Sequence, residues 1–359
     1  MSTFNVPPCG GVVIVTPLIP AYVCSSLDEL LAGATGRTSM KTGDSLSGAM
    51  FERVLIDGSP HVVKYLHVDN DWLQRSTGDL RCRPVQVWRS GVLHALTDCI
   101  DTAIVGVAEG LGRNGWGAAL LMRDVSEHLI PEGDERIDAA LYEEIIDDIA
   151  TLHSAFHGRA DLPEITPITH RALELVPWVS DVELARGGTD VVPPMLRPGW
   201  ERLRDEAPKA GRIAWSLLDD LTPLVVGLSE VPHTFIHGDL KFGNIGRDEL
   251  AAQGGGRTIL LDWAMPGRAP GAVDIGWFIA VNCDRLPTGV TKDDVLVHYR
   301  AAMLRRGLDV AGWWDRAMDF ALMLAFLQLG WSKSGDELDW WADQVARVNR
   351  AYDLVGSPG

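Results

Sequence analysis

The chain is short of positive charge. Lys and Arg number 32 against 49 Asp and Glu, a formal net charge of −17 over 359 residues. Nucleic-acid binding wants a basic face, so that class of function is excluded. The acidity leaves two readings open: a cationic small-molecule partner, or simple solubility. Long apolar runs are also lacking. The apolar stretch 11–24 has no Lys or Arg before it and carries Pro17 and Pro20. That argues against a signal peptide and against a membrane span. Cysteine is sparse, and Cys9, Cys24, Cys82, Cys99 and Cys283 show no CxxC or metal-ligand spacing. Reduced packing thiols in a cytoplasmic protein are therefore expected. No internal repeat or low-complexity tract is present. What remains is a globular composition, 46% hydrophobic and 23% charged, with mean hydropathy +0.04. It is long enough for two lobes with sizeable cores.

The hydrophobic pattern changes along the chain. Ser26–Gly33 reads as a short helix, with Ser26 as cap and Gly33 as stop. Thr38–Thr42, Ala49–Ile56 and His61–Leu66 read as strands of a meander, with a hairpin turn at Asp57-Gly-Ser-Pro60. Arg83–Leu96 reads as a helix. Ala103–Glu109 and Ala118–Met122 read as two more strands around Asn114-Gly115. Ile137–His157 is a long amphipathic helix, with Leu141, Ile145, Ile149, Leu152 and Phe156 near helical spacing. Asp161–Pro198 is Pro-rich and reads as an irregular loop that could border a substrate. Trp200–Leu228 is helical with a break near Pro223. Ala272–Val281, Thr291–Arg305, Trp313–Trp331 and Glu337–Val355 complete a helical C-terminal part.

The chemistry is concentrated in His237-Gly-Asp239-Leu-Lys241-Phe-Gly-Asn244 and in an apolar run ending at Asp262. Together these read as a phosphoryl-transfer site. Asp239 is the candidate base that accepts a hydroxyl proton, while Asn244 and Asp262 offer hard oxygen atoms to magnesium. Lys64 lies among Val62, Val63, Tyr65 and Leu66, where a buried ammonium needs an acidic partner. The small-residue loop Thr42–Gly48 contains Gly43 and Gly48, which let a backbone approach phosphates. Ser45 and Ser47 can donate hydrogen bonds there.

The order of these segments resembles the aminoglycoside phosphotransferase and choline kinase branch of the protein-kinase-like fold, from about Arg37 to the C-terminus. The resemblance implies an α+β, two-lobed architecture: an N-terminal antiparallel β-sheet lobe with a helix over 1–121, a hinge at 122–126, and a mainly α-helical C-terminal lobe over 127–359. It implies a cytoplasmic phosphotransferase with an alcohol group as acceptor, using ATP or GTP and Mg2+. The acceptor would be a small molecule of antibiotic type (aminoglycoside, peptide or nucleoside), with a metabolic sugar or amino alcohol as the alternative. No nucleic acid or membrane partner is implied, and the chain would be a monomer or homodimer.

By the same resemblance Lys64 binds the α/β-phosphates, the loop of Gly43, Ser45, Ser47 and Gly48 closes over them, and backbone atoms of Arg123 and Val125 pair with the base. His237 braces its loop, as does Asp274. Lys241 either neutralises the γ-phosphate or is a solvated charge. Asn282, Asp284 and Trp331 are candidate acceptor contacts, and the acids of Asp181–Asp190 are another option. The tryptophans of the C-terminal helices either stack on the acceptor or belong to the core. One departure stands out: Arg83–Leu96 contains no Glu to pair with Lys64. Gln86 sits where that acid is expected, and Asp79 is a substitute. This gap is the sole support for a rival reading, a nucleotide-binding pseudokinase or scaffold.

Overall fold

A computed structural model describes residues 17–40, 48–249 and 256–355. A four-residue helix α1 (Leu27–Leu30) opens the described chain, capped by the Ser26 hydroxyl on Glu29 N. Three strands follow: β1 (Thr35–Met40), β2 (Met50–Ile56) and β3 (Ser59–Leu66). The β2–β3 turn is Asp57-Gly58 alone, both at positive φ (49° and 77°), so Ser59 and Pro60 already pair within the ladder. Two consecutive left-handed residues make the turn whose twist suits a two-residue hairpin. Next come α2 (Trp72–Ser76), α3 (Arg83–Arg89), β4 (Ile100–Asp101), β5 (Ile104–Leu111) and β6 (Gly117–Arg123). The main sheet has the order β1-β2-β3-β6-β5, antiparallel throughout.

Alternation along β3 gives the sheet two faces. Val63 faces one way, into a cluster with Val54, Ala119 and Leu121 covered by Leu30 and Leu31. Val62 and Lys64 face the other way, toward the rest of the molecule. Helix α3 ends seven residues short of the expected Leu96. Gly91 adopts φ +79, and a Cβ there would fall 1.9 Å from the Ile19 carbonyl oxygen. The chain turns at Gly91 because only glycine fits, and a single 3₁₀ turn, Val92–His94, follows.

The helical part begins with α4 (Ala139–Ala155), which buries Tyr142, Ile145, Ile146, Ile149 and Leu152 on one face. The expected Pro-rich loop Asp161–Pro198 is instead largely helical. It contains α5 (Ile168–Ala172), α6 (Pro177–Ala185) and the start of α7 (Pro193–Glu206); α8 (Pro208–Asp219) and α9 (Thr222–Ser229) follow. The prolines mislead because α6 to α9 each carry one in the first turn. There the fixed φ suits a helix, and the missing N–H costs nothing.

Short strands then alternate with the segments that carry His237–Asn244 and Asp262: β7 (Thr234–Ile236), β8 (Ile245–Asp248), β9 (Arg257–Leu260) and β10 (Gly267–Ala269). β7 pairs with β10, and β9 lies between β4 and β8. The chain closes with α10 (Ala272–Asn282), α11 (Lys292–Arg305), α12 (Trp314–Leu329) and α13 (Gly335–Tyr352). Helix α12 is buried almost all round and packs on α10, α9 and α13, as expected of a helix at the centre of a core. Most of the C-terminal tryptophans prove structural. Trp314 and Trp341 are core residues, and Trp341 packs edge-on against Trp340. No described helix is long and apolar enough to cross a membrane.

Candidate active site

The loop His237–Asn244 leaves β7 at the floor of the cleft. Asp274, at the start of α10, accepts hydrogen bonds from His237 N (2.8 Å) and Gly238 N (2.7 Å). His153 of α4 holds the same carboxylate at 3.2 Å. Burial opposes the charge of Asp274, yet His153 and the loop amides keep its carboxyl below the usual range. Gly238 has φ +87, and a Cβ there would meet the Met265 carbonyl oxygen at 1.9 Å. His237 Nδ1 accepts from Asp239 N (3.2 Å), so its Nε2–H donates to the Leu261 carbonyl (2.8 Å). Burial holds this imidazole below its usual pKa and therefore neutral. It ties the loop to the end of β9.

Asp239 stands half-buried, with both carboxylate oxygens engaged. Trp277 Nε1 donates to Oδ1 (2.9 Å) and Asn244 Nδ2 donates to Oδ2 (2.7 Å). Removal from water raises its pKa, opposed by Lys241 and reinforced by Asp262. The Asn244 amide nitrogen also donates to the Asp239 carbonyl (3.1 Å), and the Asn244 backbone carbonyl accepts from Leu261 N (2.8 Å). With its nitrogen committed, Asn244 presents its amide oxygen as an acceptor.

Asp262 follows β9 in the left-handed region at φ +58, an uncommon conformation for a non-glycine residue. Its Oδ1 accepts from Lys64 Nζ at 2.7 Å, an ion pair joining the sheet to the helical part. Burial works against its charge, but Lys64 first and Lys241 second hold its carboxyl below the usual range. Lys241 thus places positive charge against both carboxylates.

A continuous cavity of about 460 Å³ runs across these groups. Part of its lining is one apolar cluster, Val62, Met122, Val125, Leu129 and Leu261, with Arg123 also on the wall. The helical part contributes Glu174, Leu175, Val192, Trp277 and Trp331. Lys64, Asp239, Lys241, Asn244 and Asp262 line the same cavity.

The remaining expected residues fall unevenly. The side chain of Arg123 pairs with Asp101. Gly48 has φ +93, and a Cβ would overlap the Asn70 carbonyl oxygen at 2.2 Å, so glycine is required there. Gly43, Ser45 and Ser47 lie outside the described residues. Asn282 does not reach the cavity. It is 3% exposed, accepts from Phe242 N (2.9 Å) and donates to the Leu240 carbonyl (2.8 Å). The expected acceptor contact is therefore replaced by a brace on the catalytic loop. Asp284 sits exposed in the 3₁₀ turn Cys283–Arg285, away from the cavity lining, and is likewise no acceptor contact in this arrangement. Of the acids over 181–190, Asp181 pairs with Arg197 on the surface and Glu183 with Arg75. Asp79 caps α3, taking Arg83 N on both oxygens (3.1 and 2.9 Å), and so is occupied where it was a candidate partner for Lys64.

Glu174 was not marked by the sequence. It is 5% exposed yet lines the cavity. Its Oε2 accepts from Gln328 Nε2 (2.8 Å). Burial, and then the charge of Asp239, push its carboxyl up to about 7. No local pattern points to it. Trp277 had a usable signal, lying three residues after Asp274 and so on the same face of α10.

A search of curated protein sequences gives no match. Among solved structures, the aminoglycoside phosphotransferase APH(3'')-Id from Streptomyces rimosus aligns at 20% identity over 84% of this chain and 96% of its own, with TM-score 0.50. That likeness concerns the fold. A choline kinase from Streptococcus pneumoniae aligns at 12% identity over 90% of this chain and 96% of its own, with TM-score 0.45. A ternary complex of aminoglycoside phosphotransferase APH(4)-Ia with ADP and hygromycin B aligns at 11% identity over 93% and 98%, with TM-score 0.46. The family model described as the phosphotransferase enzyme family matches residues 91–306. That span takes in β5 and β6, the whole loop His237–Asn244, Asp262 and the bracing helix α10. Covering well over half of the sequence, it makes this chain a member of the phosphotransferase enzyme family.

Proposed function

We propose that this phosphotransferase moves the γ-phosphoryl group of ATP or GTP to a hydroxyl of a small, antibiotic-like acceptor. The observation that carries the reading is that Asp239, its oxygens fixed by Trp277 and Asn244, lines one cavity together with Lys64, Lys241, Asn244 and Asp262. The apolar cluster suits a nucleobase, with backbone atoms of Arg123 and Val125 at its edge. Lys64 is set to bind phosphate oxygens, and Lys241 to offset charge on the transferred group. Asp239 accepts the proton of the acceptor hydroxyl as that oxygen attacks.

The residues present fit magnesium. Asp262 offers a carboxylate kept ionised by its surroundings, and Asn244 an amide oxygen whose orientation Asp239 fixes. These are hard oxygen donors on adjacent segments. When bound, the ion would neutralise charge on the β- and γ-phosphates. The pseudokinase alternative loses ground because Lys64, Asp239, Lys241, Asn244 and Asp262 all line one cavity.

The helical part of the lining, the proposed acceptor end, favours a compound carrying amino groups. Glu174 adds a second carboxylate beside Asp239, while Trp277 and Trp331 offer aromatic faces to a ring or cation. An aminoglycoside-type acceptor meets both, in keeping with the name of the Streptomyces rimosus protein that shares the fold. The test is turnover with magnesium and ATP or GTP against aminoglycosides, peptide and nucleoside antibiotics, amino sugars and amino alcohols. A phosphorylated product appears in mass spectrometry as a gain of about 80 Da, the mass of one phosphoryl group. No product from any acceptor, with nucleotide bound, would leave the antibiotic-type assignment without support.

A further inference from the structure

Lys64 has an unfinished charge balance. It is 7% exposed, on an inner strand. Its hydrogen-bonded acid is Asp262, the same carboxylate that is proposed to face the metal. Once Asp262 turns to a divalent ion, a nearly dry ammonium needs a second acid to stay placed against phosphate. Helix α3 supplies none. Its seven residues, Arg-Pro-Val-Gln-Val-Trp-Arg, contain no carboxylate, and Asp79 is committed to capping it.

A small cavity of about 30 Å³, room for one water molecule, lies behind Lys64. Lys64, Asp71 and Asp262 all border it. Asp71 comes from the link between β3 and α3, not from α3. Its Oδ1 caps α2, taking Leu73 N (2.9 Å) and Gln74 N (3.0 Å). Among the described residues, Oδ2 takes no hydrogen bond. The residue is 5% exposed. A carboxylate buried this far, with one oxygen uncommitted beside a lysine, is poised for a second role.

We propose that Asp71 is the positioning acid of Lys64: when nucleotide and metal engage Asp262, Lys64 is held across the small cavity by Asp71, which takes over the task of the missing helix glutamate. The inference rests on the nucleotide-binding role proposed for Lys64. The side-chain electrostatics agree. Burial, with Asp262 adding to it, pushes the Asp71 carboxyl up to about 6 against the Gln74 amide and the neighbouring Lys64, which both pull it down.

The capping role and the charge role can be separated, because Asn caps a helix as well as Asp does. Asp71→Asn therefore keeps α2 and removes the charge. The readout is the dissociation constant of a fluorescent ATP analogue with magnesium, measured in four proteins: the parent chain, Asp71→Asn, Lys64→Met and the double variant. The expected result is about tenfold weaker binding in Asp71→Asn, the loss of one charge-assisted contact, but less than about twofold further loss when the same change is made in Lys64→Met. Asp71→Glu should recover part of the affinity. Unchanged affinity in Asp71→Asn would overturn the proposal. So would an equal loss in both backgrounds, since Asp71 would then act through local structure and not through Lys64. Failure of the parent chain itself to bind the analogue would instead overturn the nucleotide site, a result distinguishable from either.

Discussion

Asp239 has both carboxylate oxygens engaged, and this shapes what its loss should do. Removing it deletes the proton acceptor and also frees Trp277 and Asn244, while leaving Lys64 and the apolar cluster of the cavity intact. Asp239→Ala should therefore lower kcat by about 10²- to 10⁴-fold, the usual worth of a positioned general base, with nucleotide affinity within about threefold of the parent by titration. Glu174 makes a prediction in pH. Its folded-state pKa of about 7 lies above its ordinary 4.5, so the folded chain holds the proton more tightly than the unfolded one. Its protonated form costs the fold nothing below about pH 4.5. The cost then grows as pH rises and levels off above about 7, reaching roughly 3 kcal/mol. Glu174→Gln should thus become progressively more stable than the parent between pH 4.5 and 7 in urea titrations, with a constant gap beyond. A gap independent of pH would contradict the buried charge. At this scale, spacing marked Asp239 and Asn244 and a strand marked Asp262, and these three do fall together on one cavity. Glu174 and Asp71 carried no such mark, because each gains its role from a partner far along the chain, while Trp277 had only its spacing from Asp274.

One face of α10 braces the whole catalytic loop. Asp274 holds its first amides, Trp277 reaches the carboxylate, Phe278 packs edge-on against Phe242 at 5.5 Å, and Asn282 closes the far end. These positions recur at three- and four-residue intervals, so a single rigid helix fixes the loop by register. Asn282→Ala strips hydrogen bonds from the Phe242 amide and the Leu240 carbonyl, both buried. It should cost about 2–3 kcal/mol in denaturant unfolding and lower kcat, while the acceptor KM changes little, since Asn282 does not border the cavity. A rise in acceptor KM with kcat unchanged would return Asn282 to the substrate side. Helices and strands were readable wherever hydrophobic period was strong, as in α4 and the β2–β3 hairpin. The failure over 161–198 has a definite cause: Pro177, Pro193 and Pro194 begin helices, where proline is well suited, and Pro198 is carried inside α7. The overlong α3 failed at Gly91, whose left-handed backbone is imposed by contact with Ile19 and not by its neighbours in sequence.

Across the whole molecule, the sheet and the helical part meet at charges that a nucleotide would share. Lys64 comes from the sheet, and Asp239, Asn244 and Asp262 from beneath it. A ligand bound to all of them should stabilise the chain as a unit, by about 2.7 kcal/mol at a hundredfold excess over Kd. ATP with magnesium should accordingly raise Tm more than ATP with EDTA does. Equal shifts in the two conditions would argue against Asn244 and Asp262 as metal ligands. The α+β class was legible because the strand-rich and helix-rich textures separate cleanly along the chain. The shape of the proposed acceptor end was not, since Glu174 and Leu175 come from the link after α5, Val192 from just before α7, Trp277 from α10 and Trp331 from the turn after α12. The continuity of that cavity has one more consequence. On the proposed reading, donor and acceptor share it with no wall of protein between them. Water entering that space would meet the same carboxylate as the alcohol does. Slow nucleotide hydrolysis is then expected in the absence of acceptor, and fidelity would rest on how well the true acceptor displaces that water.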